Sequence, residues 1–493
     1  MEQTETFQLT KTRYVEGILC RKRLWLQHHR RELATPPSVA QQRTMDEGTR
    51  VGILARERMF SHGLLVTQVG APAVKETAIA LTRNPPAIFE ATFLYDGILI
   101  MADMIANNFD GTWDLIEVKA STKLKPEYLH DIAMQTYVIE QAGLWLRRQR
   151  LLHINSKEAL RPDHANLFHE QDVTAEVADY LDDLPGRVAD FHGLLAREEE
   201  PAVPIGHHCQ KPYPCPFQTY CWQNLPEPSI FSIPRLKGKE KSRLAQQGIL
   251  SLHDLPPEFP LSGNQQDAVL LMQEEREEID IPAIRKKLKT LTYPIYFFDF
   301  ETDAAAIPSH SGLRPYEQAP FQYSCHILYE DGRLAHCEYL HTDTNDTREP
   351  LLMSLMDHIG PVGSVVVYNA QFERSVLRKL AALVPAYERA IQSVIDRLWD
   401  QLDIFRQDYK SYRFRGSNSI KNVLPVIAPH LSYKGLRVSR GDEAQAVWAK
   451  MVRTTEPAAK QQMIDDLLVY CRQDTLAMVE IHKHLKELTT DER

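Results

Sequence analysis

The sequence predicts an α/β protein with two larger domains joined by a small helical linker. At 493 residues the chain exceeds the usual size of one domain, and 43% hydrophobic with 25% charged residues is typical of globular proteins. Strand patterns followed by helical patterns occur twice, from residue 88 and again from residue 296. We therefore expect domains over residues 1–225 and 291–493, with a helical linker over 226–290.

The N-terminal domain contains three consecutive strand patterns separated by turns rich in Asp, Asn and Gly. These patterns are Ile88–Tyr95, Ile98–Ile105 and Thr112–Lys119. Side chains alternate along a strand, so Glu117 and Lys119 face the same side of the third strand. We expect Asp103, on the second strand, to share a metal ion with Glu117, while the Lys119 ammonium meets a phosphate or polarises a water.

A helix and a fourth strand are predicted next. Apolar residues recur at helical spacing from Leu129 to Tyr137, Gly143 can end the helix, and Leu151–Ile154 forms an apolar run. This order of elements, with D-x13-E-x-K on two strands, resembles the PD-(D/E)XK nucleases of the restriction-endonuclease fold. The resemblance implies a catalytic site that includes one polar helix residue as a nucleic-acid contact. Its members are Asp103, Glu117, Lys119 and Gln135.

Four of the seven cysteines surround this nuclease pattern, one before it and three after it. They are Cys20, Cys209, Cys215 and Cys221. The arrangement resembles the iron-sulfur branch of RecB-like nucleases, which includes the CRISPR adaptation exonucleases and the AddB-type helicase-nucleases. The resemblance implies that the four thiolates bind a 4Fe-4S cluster, which would also offset the closure entropy of a long loop. Zinc is the alternative, because four cysteines also suit a structural zinc site.

One feature of the RecB-like iron-sulfur nucleases is missing from the sequence. They often place a metal-binding histidine in the helix before the three strands, and Asp46–Gly52 contains none. Three alternatives follow: Glu47 or Glu57 replaces the histidine, a water takes its place on the metal, or the site is degenerate and serves only to bind.

The linker contains a glycine turn at Gly248 within Leu244–Pro256. This segment resembles a helix-hairpin-helix, in which backbone N–H groups of the turn bind a phosphate. A plain helical linker is the alternative.

The C-terminal domain begins with the apolar run Tyr296–Thr302, which presents two acids on one side. In a strand, Asp299 and Glu301 point one way, and the phenylalanines beside them point the other. Two carboxylates a few ångströms apart repel by roughly 1 kcal/mol in water and about 4 kcal/mol near a protein surface. Such a pair favours a bound cation. A hairpin with strands Phe321–Tyr329 and Leu334–Leu340 is predicted after it.

Two later motifs complete a set of acids. A buried strand pattern runs into Asn369 and then Glu373, and Tyr470 lies four residues before Asp474 on a predicted helix. The series D-x-E, N-x-x-F-D/E and Y-x-x-x-D resembles the tyrosine subtype of the DEDD exonucleases, which have the RNase H-like, DnaQ-type fold. Glu373 stands where this family usually has Asp.

The DEDD resemblance implies hydrolysis of phosphodiester bonds with two divalent ions, Mg²⁺ or Mn²⁺. Tyr470 would orient the attacking water, because a phenol with an ordinary pKa near 10 is a poor base at neutral pH. Asn369 and Lys421 are further candidates for nucleic-acid contacts. The metal ligands implied by the resemblance are Asp299, Glu301, Glu373 and Asp474.

The net charge and the hydropathy of the chain exclude few classes of function. The net charge of −9 does not oppose nucleic-acid binding, because phosphate contacts depend on where cations cluster. No apolar stretch is long enough to cross a bilayer, and no signal peptide is recognised, so we expect a cytoplasmic protein.

The motifs together predict a metal-dependent nuclease that trims single-stranded DNA ends from 3′ to 5′ in repair, recombination or defence. A helicase or another repair or defence protein is a candidate partner. Two alternatives remain: an exoribonuclease in RNA processing, because nothing in the residues reads the 2′-hydroxyl, and a nucleic-acid-binding adaptor with a degenerate nuclease site.

Overall fold

The computed structural model describes residues 9–158, 160–161, 164–310 and 312–490. The chain folds into two compact units, and each combines a β-sheet with helices, which confirms the predicted α/β class. The first unit comprises residues up to Pro37 together with Gln41–Gln223 and Ala305–Tyr316, and the second comprises Ser38–Ala40, Asn224–Ala304 and the residues from Glu317 onward. The segment predicted as a linker, 226–290, lies within the second unit.

In the described residues the first unit begins with a short strand, places helices before and between the strands of its sheet, and ends in short helices. Its strands are β1 (Leu9–Thr10), β2 (Leu64–Leu65), β3 (Ala87–Tyr95), β4 (Ile98–Asn107), β5 (Trp113–Lys119), β6 (Leu146–Ile154) and β7 (Phe168–Asp172). Its helices are α1 (Lys11–Leu19), α2 (Arg21–His29), α3 (Val39–Met59), α4 (Ala71–Thr82), α5 (Pro126–Gln141), α6 (Thr174–Leu181), α7 (Leu184–Leu195) and α8 (Gln218–Cys221).

Seven strands among the described residues form one mixed sheet in the first unit. Its order is β2-β3-β4-β5-β6-β7, and β1 pairs with β4. The strands β3, β4 and β5 are antiparallel neighbours, as predicted, and β5 and β6 are parallel because α5 crosses between them. One core, with residues such as Ile132 and Leu151, contains the buried face of α5, and another lies around Met104 and Ile116. The sheet therefore carries β4 and β5, with the predicted acids, at its centre.

The second unit begins with helices and short turns, and its main sheet follows. Its strands are β8 (Glu277–Ile279), β9 (Ile295–Asp303), β10 (Ala319–Leu328), β11 (Leu334–Leu340), β12 (Val365–Val367), β13 (Leu398–Asp400) and β14 (Tyr409–Ser411). Its helices are α9 (Gly238–Gln246), α10 (Gly263–Gln273), α11 (Ile281–Leu288), α12 (Arg348–His358), α13 (Ala370–Leu383), α14 (Glu388–Asp396), α15 (Leu402–Gln407), α16 (Ile420–Ile427), α17 (Gly441–Met451) and α18 (Pro457–Thr490).

The main sheet of the second unit has β9 at its centre. Its order in the described chain is β11-β10-β9-β12-β13. The pairs on the β10 side are antiparallel, and those on the β12 side are parallel. The predicted hairpin is present as β10 and β11, with Cys325 opposite Cys337. The 34-residue helix α18 packs against β9 and β10, and this contact brings the last predicted motif to the first one.

The segment that resembled a helix-hairpin-helix differs from that motif. After α9, Gly248 adopts φ +80°, but a 3-10 turn at Leu252–Asp254 follows instead of a second α-helix. The next α-helix starts only at Gly263, because Pro256, Pro257 and Pro260 interrupt the intervening backbone.

Among the helices of the described residues, none combines the length and the apolar character that crossing a membrane would require.

Candidate functional site

Three of the predicted acids of the second unit line one cavity. The cavity has a volume of about 310 Å³ and is bordered by residues of β9, α16 and α18. The sequence-predicted residues that line it are Asp299, Glu301, Lys421, Tyr470 and Asp474. Residues separated by up to 175 positions therefore meet, as the motif order predicted.

The strand β9 presents its two acids to this cavity by simple alternation. Phe298 and Phe300 are buried in the hydrophobic core on the other side of the strand. Asp299 lies opposite Ser324 on β10, and Glu301 is only 7% exposed. The core aromatics thus fix the direction in which both carboxylates point.

The helix α18 supplies the other wall. Tyr470 and Asp474 are 4% and 8% exposed and lie one turn apart. The Sγ atom of Cys471 and one carboxylate oxygen each of Asp299 and Glu301 all lie within 4.8 Å of one another. No sequence motif indicated Cys471. Burial and the neighbouring acids raise the pKa of its thiol well above the ordinary value, so the thiol is protonated in the metal-free protein.

The acids of the cavity carry more negative charge than the protein offsets. Burial, and then the neighbouring carboxylates, raise the pKa values of Asp299 and Glu301 well above their ordinary range. Burial also raises the pKa of Asp474, although a hydrogen bond from Tyr433 and the Lys421 ammonium oppose this effect. A divalent cation would relieve this repulsion.

Glu373 lies in the first turn of α13, where it is 1% exposed. Its Oε2 atom is buried without a hydrogen-bond partner, and burial raises the pKa of its carboxyl to about 8. Its charge acts on Asp299 and Glu301. Unlike them, it does not line the cavity. An unpartnered buried carboxylate oxygen is costly and fits an absent cation or water.

Asn369 was predicted beside Glu373, and the structure places it at a different cavity. It has a left-handed backbone with φ +95°, and its N–H donates to Asp400 Oδ1 at 2.9 Å. It lines a neighbouring cavity of about 410 Å³ that also contains Lys287, Arg374 and Arg406 among its lining residues. The sequence interpretation overlooked Asp400, which fixes the turn from β12 into α13.

Lys421 holds a central position among the aromatic residues of the site. Its Nζ donates to the Ser439 carbonyl at 2.6 Å and to the Tyr470 hydroxyl at 3.3 Å. It also lies 5.3 Å and 5.2 Å from the ring centroids of Tyr433 and Tyr470. Tyr433, which no motif indicated, donates a hydrogen bond to Asp474. Burial and the nearby carboxylates raise the pKa of Tyr470 far above its usual value, so its hydroxyl remains protonated.

The predicted residues of the first unit also meet. Val118 N–H donates to Asp103 Oδ2 at 2.8 Å, which joins β4 to β5 at the level of the acids. Glu117 is 1% exposed, and its carboxylate accepts from Lys119 at 2.6 Å and from Gln135 at 2.8 Å. Glu117, Lys119 and Gln135 thus form one network, and Lys11 connects it to Asp103.

Two charged residues of this network were not predicted. Lys11, at the start of α1, contacts both Asp103 and Glu117. Asp131 accepts from Lys119 at 2.7 Å and from Gln135 at 3.1 Å. Its position one helical turn before Gln135 was a signal that could have been found; Lys11 gave none, because it is more than ninety residues from the other members of the network.

The charges in this network are closely paired. Burial, with Asp103 nearby, raises the pKa of Glu117 to about 7 despite the neighbouring lysines. Although burial opposes it, the Lys119 and Lys11 ammonium groups lower the pKa of Asp131. Glu117 and Asp131 likewise raise the pKa of Lys119 against the effect of its burial.

The four predicted cluster cysteines line one cavity of the first unit, and His208 lines it too. Cys20 lies between α1 and α2, and the other three follow α7. Hydrogen bonds with Cys20 and Cys209 raise the pKa of His208 to about 10. Burial raises the pKa of Cys221 to about 11. All seven cysteines of the chain carry free thiols.

Comparisons with known proteins give relatives without an assigned activity. Residues 296–419 match a family described as "Domain of unknown function (DUF2779)". The "Uncharacterized protein MG366 homolog" of Mycoplasma pneumoniae is 28% identical over 219 residues, which cover 40% of this chain and 32% of that protein. "Uncharacterized protein MG366" of Mycoplasma genitalium is 28% identical over 39% of this chain and 32% of its own length.

A third relative and one solved structure are also similar to the chain. "Uncharacterized protein UU173" of Ureaplasma parvum is 28% identical over 39% of this chain and 31% of its own. The chain thus spans about a third of the length of these curated relatives. The solved structure "Crystal structure of SSO0001" matches over 46% of this chain and 90% of its own, with 15% identity and a TM-score of 0.22. The matched family segment contains Asp299, Glu301 and Glu373 and ends before α18.

Proposed function

We propose that the chain is a metal-dependent nuclease whose second unit is a 3′ to 5′ exonuclease of the DEDD type. The observation that carries this proposal is the convergence of Asp299, Glu301 and Asp474 on one cavity, with the charge of Glu373 acting on it. Acids that raise one another's pKa values in a cleft are typical of a functional site rather than of a stabilising network.

The sheet of the second unit supports an RNase H-like fold for this activity. Its central strand β9 carries the first two acids, an antiparallel hairpin lies on one side, and parallel strands lie on the other. An antiparallel meander after the first strand is what the DEDD resemblance implies.

The donor atoms fit Mg²⁺ or Mn²⁺, which prefer carboxylate oxygen. Asp299, Glu301 and Asp474 would hold the ions, and Glu373 offers a further carboxylate oxygen that lacks any partner. When bound, two divalent ions supply an activated water and stabilise the charge of the leaving oxygen.

The remaining residues of the cavity position the reactants. The protonated Tyr470 hydroxyl can orient a water by hydrogen bonding, which does not require it to act as a base. The Lys421 ammonium, beside that hydroxyl, can offset charge on a phosphate oxygen. Tyr433 holds the Asp474 carboxylate in place.

The cysteines of the first unit support a 4Fe-4S cluster over zinc. Four thiolates around one zinc ion lie about 3.8 Å apart, given Zn–S distances of about 2.3 Å. In the described residues no three of the cysteine sulfurs lie within 4.8 Å of one another. The wider spacing fits a cluster of several metal ions, and we assign the first unit to the RecB-like, PD-(D/E)XK type.

Single-stranded DNA is the proposed substrate, because the RecB-like iron-sulfur nucleases that the first unit resembles act on DNA. A cytoplasmic role in repair, recombination or defence, beside a helicase or another protein of those systems, belongs to the same proposal.

The test is digestion by protein purified without oxygen. Single-stranded DNA and RNA of one sequence, each labelled at the 5′ end, are incubated with Mg²⁺, Mn²⁺ or EDTA. We expect a ladder of shortening DNA products with either metal and none with EDTA. Preferential shortening of RNA would favour an exoribonuclease instead. The proposal would be overturned if EDTA did not change the cleavage, or if neither nucleic acid were cleaved.

A further inference from the structure

The acid pair of the first unit already has a cation between its carboxylates. Lys11 Nζ lies 3.3 Å and 3.4 Å from the two carboxylate oxygens of Glu117, and 3.7 Å from Asp103 Oδ1. One ammonium group therefore contacts both acids, at the place where the PD-(D/E)XK resemblance expects a divalent ion.

The oxygen atoms of the pair have further donors. Lys119 donates to one Glu117 oxygen, and Gln135 donates to the other. The Val118 N–H donates to the Asp103 oxygen that Lys11 does not contact. Each of these four oxygens thus faces a donor of the chain itself, unlike the buried, unpartnered oxygen of Glu373.

The acid sites of the two units also differ in how many cations accompany their carboxylates. In the first unit, four carboxylates interact with three cations, since Arg56 also pairs with Glu90 at 2.9 Å. Those carboxylates are Glu90, Asp103, Glu117 and Asp131, and the cations are Lys11, Arg56 and Lys119. In the second unit, Lys421 is the cation that acts on Asp299, Glu301 and Asp474. By these counts the second site has the larger excess of negative charge.

Secondary structure fixes Lys11 in this position. The strand β1 pairs with β4 at Ile98 and Leu99, and Lys11 follows directly as the first residue of α1. The Thr10 hydroxyl caps that helix by accepting from the Arg13 N–H at 3.3 Å. The lysine side chain is 20% exposed. It therefore reaches the acids from a paired and capped segment rather than from a loose terminus.

We propose that the Lys11 ammonium takes the place of a divalent ion at Asp103 and Glu117, so that the first unit binds no catalytic metal there. An ammonium group balances the charge of the carboxylates but cannot activate a bound water as a divalent ion does. Phosphodiester hydrolysis by this chain would then not arise from the first unit.

The test counts Mn²⁺ bound to the full-length protein, by the electron paramagnetic resonance signal of the free ion. Asp103→Asn should bind as many ions as the wild type. Lys11→Met should bind one ion more, and the double variant with Asp103→Asn should lose that ion again. Lys11→Arg, which keeps the charge, is the matched control and should resemble the wild type.

A wild type that loses one Mn²⁺ on Asp103→Asn would overturn the proposal, and so would a folded Lys11→Met that gains none. If circular dichroism shows that Lys11→Met does not fold, the comparison of the wild type with Asp103→Asn still tests whether Asp103 binds an ion. The differences among these variants concern the first unit alone. A failure of the second unit to bind Mn²⁺ would instead appear as a low count in every variant.

Discussion

The Tyr433 hydroxyl donates a hydrogen bond to the Asp474 carboxylate, although the two residues lie 41 positions apart. Tyr433 belongs to the segment between α16 and α17, and Asp474 belongs to α18. The bond stabilises the charged form of a buried acid whose pKa is otherwise raised by burial. It also keeps the acid directed towards Asp299 and Glu301, so this tyrosine is a positioning residue for the proposed metal site.

Replacing Tyr433 by Phe should weaken metal binding. Partners that orient metal ligands typically contribute 10- to 100-fold to affinity or activity. We expect Tyr433→Phe to raise the Mn²⁺ concentration for half-maximal cleavage by about 10-fold or more. At saturating Mn²⁺ most of the activity should return. An unchanged Mn²⁺ requirement would show that Tyr433 only packs against the site.

Replacing Tyr470 by Phe should lower the cleavage rate even at saturating Mn²⁺, where Tyr433→Phe should retain most of its activity. Its hydroxyl lies beside Lys421 and is proposed to orient the water, so its loss should lower kcat by about 100-fold. The hydroxyl also hydrogen-bonds Asp474, so the distinguishing result is that the loss in kcat persists at saturating Mn²⁺. Tyr293→Phe, which also removes a hydroxyl bonded to a lysine, is the control in the same unit. Equal losses in both variants would contradict a specific role for Tyr470.

The buried carboxyl of Glu373 should make the metal-free protein less stable as pH rises. Its pKa is raised from 4.5 to about 8, so between these pH values the folded state binds more protons than the unfolded state, and stability falls. One pKa unit corresponds to about 1.4 kcal/mol, so the loss amounts to about 3 to 5 kcal/mol by pH 8.

Thermal unfolding at several pH values, with EDTA or Mg²⁺, measures this effect. We expect the Tm in EDTA to fall from pH 5 to pH 8 and Mg²⁺ to restore more of it at the higher pH. Glu373→Gln should make this fall smaller, because a neutral amide has no proton to lose, whereas Asp299 and Glu301 still contribute to it. A wild type and a Glu373→Gln variant with identical Tm profiles would refute this explanation.

The cysteine cavity predicts the behaviour of single serine variants. Cys209→Ser should abolish the visible absorbance of an iron-sulfur cluster, lower the iron content and decrease the Tm of the first unit, because the thiol is one of four that line the cavity. Cys325→Ser is the control, since this buried thiol lies on β10, in the second unit. Purified protein with one zinc ion and no iron would contradict the cluster assignment.

Short-range patterns predicted one part of the site, and tertiary contacts created the rest. Alternation along a strand placed Asp299 and Glu301 on one face, and helical spacing paired Tyr470 with Asp474. Lys11 and Tyr433 gave no comparable signal, because each reaches its acid across a long sequence separation. Cys471 shares the helix of Asp474, but its approach to the β9 acids depends on how α18 packs.

Some strands of the fold could likewise be predicted from local patterns, whereas others depend on tertiary contacts. The strands with strong apolar patterns, such as β9 and the β10–β11 hairpin, lie close to their predicted limits. The short strands β12 and β13 have three residues each, and their place in the sheet depends on their partners rather than on their own sequence. The late start of α10, at Gly263, depends on three prolines that follow the 3-10 turn and lie outside the glycine turn itself.

The central claim is that acids on β9 and α18 act together to hydrolyse phosphodiester bonds. Its most direct test is the rate at which 5′-labelled single-stranded DNA is shortened in Mn²⁺ by Asp474→Asn and by Asp465→Asn. Asp465 lies exposed on the same helix and is bonded only to Gln461 among the described contacts. We predict that Asp474→Asn loses about 1,000-fold or more in rate, whereas Asp465→Asn retains the wild-type rate. Wild-type shortening of the DNA by Asp474→Asn would contradict the account.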